Sequence, residues 1–222
     1  MSNIKSNSDR TFWICFGVLI ILSILACIFA RFMAVFPGDV GVTLWIQSLA
    51  NEPLTLTMKG ISFILGGPGA TITVIIFTSI AWWRIGRLEA VMILIGGIVS
   101  LLNYAFKDAI NRPRPAPPLI QILTLEQQSS FPSGHSFFTF LILGLVTYFA
   151  LRELPKTGWR VLFLAVAAAL TLLLGLSRIY LGAHWLSDVL GGYLIGSVFL
   201  ISLIRIYQAF KNHLIKVPRN SI

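Results

Sequence analysis

Charge is scarce in this chain: 11% of its 222 residues are Asp, Glu, Lys or Arg, against 56% hydrophobic. At a mean hydropathy of +0.85 it has far more apolar surface than one water-soluble core can hide, which excludes a soluble globular protein and indicates an integral membrane protein. Cysteine is nearly missing. The two present, Cys15 and Cys27, lie in one apolar run, where a straight helix holds them too far apart for a disulfide. Ile24 and Leu25 before Cys27 fit a lipoprotein processing site poorly, and the run is long for a signal peptide. Acidic residues number 8 against 17 Lys and Arg, for a formal net charge of +9. The basic residues are spread among short loops without an aromatic-interleaved patch, so nucleic acid is not the expected partner and membrane orientation explains the excess. Internal repeats and low-complexity tracts are also missing, so residues 1–222 read as a single domain.

What is present is a series of long hydrophobic runs. After a polar tail at 1–11, an apolar run at 12–30 has the length of a first transmembrane helix. Residues 31–58 form an outer loop broken at Pro37-Gly38, with a short interfacial helix over 40–49 that puts Trp45 near the headgroups. A second span is expected at 61–83, where Gly66-Gly67-Pro68-Gly69 loosens or kinks the helix, and a third at 88–106. Residues 107–135 form a proline-rich outer loop, extended rather than helical at first (Pro113, Pro115, Pro117, Pro118). The run at 137–151 spans only if its helix begins near Ser133; spans at 161–176 and 189–207 and a tail at 208–222 follow. The expected fold is therefore all-α, a bundle of six transmembrane helices.

Lys5, Arg10, Arg84, Arg87, Arg152, Lys156, Arg160, Arg205, Lys211, Lys216 and Arg219 fall on one side of such a bundle. Short basic loops stay cytoplasmic, so both termini are expected inside and the segments 107–135 and 177–188 outside. Trp82, Trp83, Trp159 and Trp185 suit aromatic-belt positions, with Trp185 also placed to touch a lipid tail. Gly192 and Gly196, spaced as small-x3-small, suit helix packing.

Three segments then converge on the outer side: Lys107 to Pro115, Pro132-Ser133-Gly134-His135, and Ser177-Arg178 with His184 and Asp188. Ionisable groups at membrane depth usually bind or react with something. Lys107, Arg114 and Arg178 suit an anion, because a guanidinium pairs bidentately with phosphate oxygens and an ammonium adds a point charge. A helix beginning at Ser133 and Gly134 adds free backbone N–H groups. On one helical face, Asp188 accepts a hydrogen bond from His184, whose other nitrogen is then a competent nucleophile towards phosphorus, with His135 as general acid. The cations already neutralise the transferring group, so no metal or other cofactor is required, and they would repel a zinc ion held by His135, His184 and Asp188. The plain alternatives are an Arg178–Asp188 ion pair locking two helices, and Asp108 and Arg112 as solvated rim residues.

Lys-x6-Arg-Pro (Lys107, Arg114, Pro115), Pro-Ser-Gly-His (132–135) and Ser-Arg-x5-His-x3-Asp (Ser177, Arg178, His184, Asp188), intact and in order, resemble the three motifs of the type 2 phosphatidic acid phosphatase superfamily. The resemblance covers roughly residues 60 to 200 and extends to the six-helix layout of the family's bacterial membrane members. It implies metal-independent phosphate-ester hydrolysis with His184 as nucleophile, His135 as acid, Asp188 orienting His184, and Lys107, Arg114, Ser133, Gly134 and Arg178 holding phosphate. The superfamily's soluble vanadium-dependent haloperoxidases do not fit six spans. The expected substrate is a phosphorylated or pyrophosphorylated lipid such as undecaprenyl pyrophosphate, phosphatidylglycerol phosphate, phosphatidic acid or a lipid A phosphate. Its cleavage is expected at the outer leaflet of a bacterial inner membrane, with transfer to an acceptor other than water as a variant. A phosphate or headgroup transporter is the reading from another class; it calls for a missing histidine or for helices broken at the midplane.

Overall fold

The computed structural model describes residues 2–154 and 158–216, which leaves Lys156 and Arg219 outside the described residues. Among these residues the chain forms α1 (Ser2–Phe32), α2 (Asp39–Gln47), α3 (Glu52–Ile64), α4 (Pro68–Arg84), α5 (Arg87–Ser100), α6 (Leu102–Ile110), α7 (Gly134–Glu153), α8 (Gly158–Tyr180) and α9 (Leu186–Lys216). Five stretches are long and apolar enough to cross a bilayer: Asp9–Phe32, Arg87–Ile110, α7, α8 and Leu186–His213. A sixth arises if α3 and α4 count as one path bent by 55°.

The bend falls at the glycines expected to loosen or kink this span, and the departure from the hydropathy reading lies in the helix before it. The expected second span at 61–83 is two helices meeting at Leu65 to Gly67, and α3 begins inside the segment expected as an outer loop. Gly67, at φ 49° and ψ −129°, takes a positive-φ conformation open to glycine, and Pro68 then occupies the first turn of α4, where the missing N–H would have had no helical partner. Asn51 starts α3 by accepting from the Leu54 N–H at 2.9 Å, with Pro53 in the first turn. α2 falls close to the expected interfacial helix, and its Trp45 is 68% exposed. At the chain's ends, α1 is already helical at Ser2 and α9 continues to Lys216. Hydropathy marks where the bilayer stops, whereas helical hydrogen bonding runs on into water.

α7 sits at the centre, packed against α5, α8 and α9. It begins at Gly134, as the fourth span requires. A Cβ on Gly192 would stand 2.7 Å from the Ser133 carbonyl, and one on Gly196 3.3 Å from that of Phe137. These two positions on α9 are where the helix backbones meet, as small residues permit in a membrane. Phe131, Phe137, Leu141, Leu145 and Phe149 fill the core around them. In lipid such burial gains little hydrophobic energy, so close dispersion contact supplies the cohesion. The packing gathers the end of α6 and the starts of α7 and α9 beside the end of α8, and the three motifs lie there.

Candidate active site

α8 ends through Gly182, whose φ of 67° turns the chain back on itself. The N–H groups of Ala183 and His184 then both donate to the Arg178 carbonyl, at 3.0 and 3.2 Å. This reversal folds His184 against the last turn of α8 and leaves it 1% exposed. Asp188, in the first turn of α9, accepts from the Trp185 N–H at 2.9 Å and so caps its own helix.

Arg114 Nη1 lies 3.3 Å from His184 Nε2 and donates to the Ala183 carbonyl at 2.6 Å. A guanidinium has no lone pair to offer, so Nε2 is the acceptor and the ring proton resides on Nδ1. Nδ1 faces Asp188 Oδ2 at 3.6 Å, beyond hydrogen-bonding range, and it has no hydrogen-bond partner among the described residues. The direct bond expected between His184 and Asp188 is therefore an electrostatic contact in this structure. The reason is competition: Asp188 already accepts from Arg112, from the Ser130 hydroxyl and from the Trp185 N–H. Burial above all, then Arg114, Lys107 and Arg178, hold the His184 imidazole well below its ordinary pKa of 6.5.

A cavity of about 750 Å³ opens in front of His184, and Lys107, Arg114, Glu126, Gly134 and His135 share its polar end. Lys107 reaches the Ser129 carbonyl with Nζ at 2.6 Å. Any Cβ on Gly66 would overlap the His135 ring, so the glycine break between α3 and α4 is also what makes room for that imidazole. The apolar end lies between α4 and α5, along Val74, Ile75, Leu94, Ile98 and Leu101.

Two expected phosphate contacts are placed differently. The Ser133 hydroxyl is fully buried and turned into α7, where it accepts from the Ser136 N–H at 3.5 Å and hydroxyl at 3.1 Å. Arg178 does not pair with Asp188; it donates to the Ser62 hydroxyl and to the Glu126 carboxylate. Glu126 Oε2 also lies 3.9 Å from Arg114, so one carboxylate from the proline-rich loop leans on two of the cations. Asp108 is exposed as expected, but Arg112 is a core residue, paired with both Asp39 and Asp188. Trp185 is likewise 1% exposed, too enclosed by protein to reach a lipid tail as expected. Asp39 and Glu126 escape sequence reasoning, since each reads as an ordinary polar loop residue.

A lone-pair-bearing imidazole nitrogen, a second imidazole and several cations around one cavity, in a bundle of helices long and apolar enough to cross a bilayer, suit a phosphoryl-bearing anion. The family model described as "PAP2 superfamily" matches residues 87–212. The chain is 34% identical to phosphatidylglycerophosphatase B of Bacillus subtilis (strain 168), over 68% of this chain and 71% of that one. It is 26% identical to an undecaprenyl-diphosphatase of Sulfolobus acidocaldarius, over 84% and 86%. Among solved structures, the transmembrane PAP2-type phosphatidylglycerolphosphate phosphatase from Bacillus subtilis superposes with a TM-score of 0.75 at 25% identity, over 92% of this chain and 98% of that one. The chain belongs to the PAP2 superfamily, among its membrane phosphatases.

Proposed function

We propose that the protein hydrolyses phosphorylated or pyrophosphorylated lipids through a phosphohistidine on His184, without a metal. The observation that carries this reading is His184 Nε2, its lone pair beside Arg114 at 3.3 Å, on the wall of a cavity that is cationic at one end and apolar at the other. Lys107, Arg114 and Arg178 hold the phosphoryl oxygens with the backbone N–H groups that open α7 at Gly134, and Ser133 acts by capping that helix. Nε2 forms a bond to phosphorus as the bond to the leaving oxygen breaks, and His135 gives that oxygen its proton. His135 then takes a proton from water, whose oxygen bonds to phosphorus as the N–P bond breaks. Phosphate leaves and both rings return to their starting states. The fixed cations neutralise the charge that builds on the transferring group throughout.

The apolar end of the cavity supports a substrate whose chain stays in the bilayer. Undecaprenyl pyrophosphate, phosphatidylglycerol phosphate and phosphatidic acid all fit, and the names of the relatives favour the first two. Arg84, Arg87, Arg152 and Lys211 lie at the helix ends remote from the cavity. The positive-inside rule then supports an inner-membrane protein with cytoplasmic termini and the cavity at the outer leaflet. The test is phosphate release from these lipids in EDTA by the parent, His184→Ala and His135→Ala. Release by the parent, abolished in His184→Ala and reduced about 10²–10⁴-fold in His135→Ala, is the expected result. Equal release by all three would overturn the reading, and a silent, folded parent would favour binding or transport.

A further inference from the structure

Behind the cavity lies a buried chain of charge that none of the three motifs predicts. Arg112 is 1% exposed. Its Nη1 donates to Asp188 Oδ1 and to the Ser187 hydroxyl at 2.8 Å, and its Nη2 to Asp39 Oδ2 at 3.0 Å. Nε is shared between the carbonyls of Met33 and Ala34 at 3.1 and 3.2 Å, and the Phe36 ring lies 4.6 Å away. Asp39, the first residue of α2, also accepts from the Ser187 N–H at 2.9 Å and hydroxyl at 2.7 Å, and from the Phe36 N–H at 2.9 Å. One carboxylate near the start of the chain thus grips both Arg112 and the residue immediately before Asp188.

Stability alone is a poor account of this arrangement, because replacing a buried ion pair by apolar side chains is often neutral or stabilising. What the network does fix is direction and charge. With Oδ1 tied to Arg112, Asp188 presents Oδ2 to His184 Nδ1. Asp39 and Asp188 together outweigh Arg112 by one negative charge, and that surplus lies behind an imidazole that turns cationic when phosphorylated. Without Asp39, Arg112 would cancel Asp188 outright.

We infer that Asp39 and Arg112 are positioning residues for the His184–Asp188 pair, and that Asp39 supplies the counter-charge that steadies the phosphorylated ring. This rests on the reading of His184 as nucleophile. Asp39 lies outside the residues matched by the family model, whereas Arg112 and Asp188 lie inside them, so the amino-terminal part of this chain supplies one end of the device.

The sign of the expected pH effect follows from the groups around the ring. Lys107, Arg114, His135 and Glu126 share the cavity wall with His184, Arg178, paired with Glu126, adds positive charge nearby, and Asp188 is the carboxylate behind it. Loss of the Asp39 charge leaves the cations less opposed and favours the neutral ring further. The acid limb of the kcat/KM profile then moves to lower pH while kcat falls. KM stays near the parent value, since Asp39 does not reach the cavity.

The experiment compares parent, Asp39→Asn, Asp39→Glu, Arg112→Lys and His184→Ala as full chains in detergent micelles, with short-chain phosphatidic acid as probe. It records kcat, KM, the pH profile and the thermal midpoint. Expected are a kcat loss of about 10- to 100-fold in Asp39→Asn, by analogy with the partners of metal-bound histidines, a limb shifted to lower pH, and recovery of much of the rate in Asp39→Glu. Parent kcat and an unshifted limb in Asp39→Asn overturn the inference. So does a loss shared equally by Asn and Glu that tracks the thermal midpoint, because that is a brace and nothing more. Should Asp39→Asn not fold, Arg112→Lys, which keeps the charge but loses the fork, decides: an unchanged kcat overturns the inference. An active His184→Ala overturns the phosphohistidine reading along with this one, whereas a dead His184→Ala beside an unaffected Asp39→Asn removes this one alone.

Discussion

Ion pairs lie at both ends of the bundle, and they differ in whether positive charge is left over. Near the start of α5, Glu89 accepts from Lys211 at 2.8 Å and from Tyr207 at 2.5 Å, an acid matched by a base. Around the cavity, Lys107, Arg112, Arg114 and Arg178 face Asp39, Asp188 and Glu126. Several of those cations lean on neutral main-chain carbonyls: Lys107 on Ser129, Arg114 on Ala183. An ion pair alone therefore does not separate a site from a tie. Cations satisfied by carbonyls, and so still able to attract an anion, do.

The comparison can be tested from each side. The largest effect is expected for Arg112→Met, which strands two buried carboxylates; breaking a buried pair typically costs about 3–5 kcal/mol. The thermal midpoint in detergent should fall accordingly, and an unchanged midpoint would mean that the chain of charge is dispensable. A smaller effect belongs to the other end. Lys211 is 36% exposed in its side chain and Glu89 8%, but Glu89 keeps the Tyr207 hydroxyl as a donor, so Lys211→Met should cost about 1–3 kcal/mol. A loss there as large as that of Arg112→Met would erase the distinction between the two ends. The smallest is expected at the cavity. Glu126→Gln takes a carboxylate off Arg178 and Arg114, so orthovanadate should inhibit severalfold more tightly, and an unchanged inhibition constant would show that these cations are not where the anion sits.

Much of the cavity was legible in the sequence, because charge is rare at membrane depth and the few residues that carry it stand out. Lys107, Arg114, His135 and His184 do line one cavity. The machinery behind it was hidden for a physical reason. Arg112 and Arg114 flank Pro113 and look equivalent in the chain, yet Arg112 turns to Asp39, 73 positions away, and Arg114 to His184, 70 positions away in the other direction. Nothing local encodes that choice. Asp39 reads as a turn residue after Pro37-Gly38, and Ser133 reads as a ligand although its hydroxyl caps α7. Helix ends were blurred for a different reason, since the apolar runs record bilayer thickness. The bend in the second span was legible in Gly66-Gly67-Pro68-Gly69, whereas the start of its first half at Glu52 was not, because residues 52–59 are too polar to read as part of an apolar run.

The mouth of the cavity bears on how the enzyme meets its substrate. Ile75, Ile98 and Leu101 border it, each more than half exposed and on helices apolar enough to cross a bilayer, which suits an opening that faces sideways into the acyl chains. A lipid that arrives there searches in a plane, and the quantity that sets encounter is its mole fraction in that plane. Diluting it with inert lipid slows turnover even when the amount per litre of suspension is unchanged, and a Michaelis constant for this protein has its natural unit in the surface fraction of the bilayer.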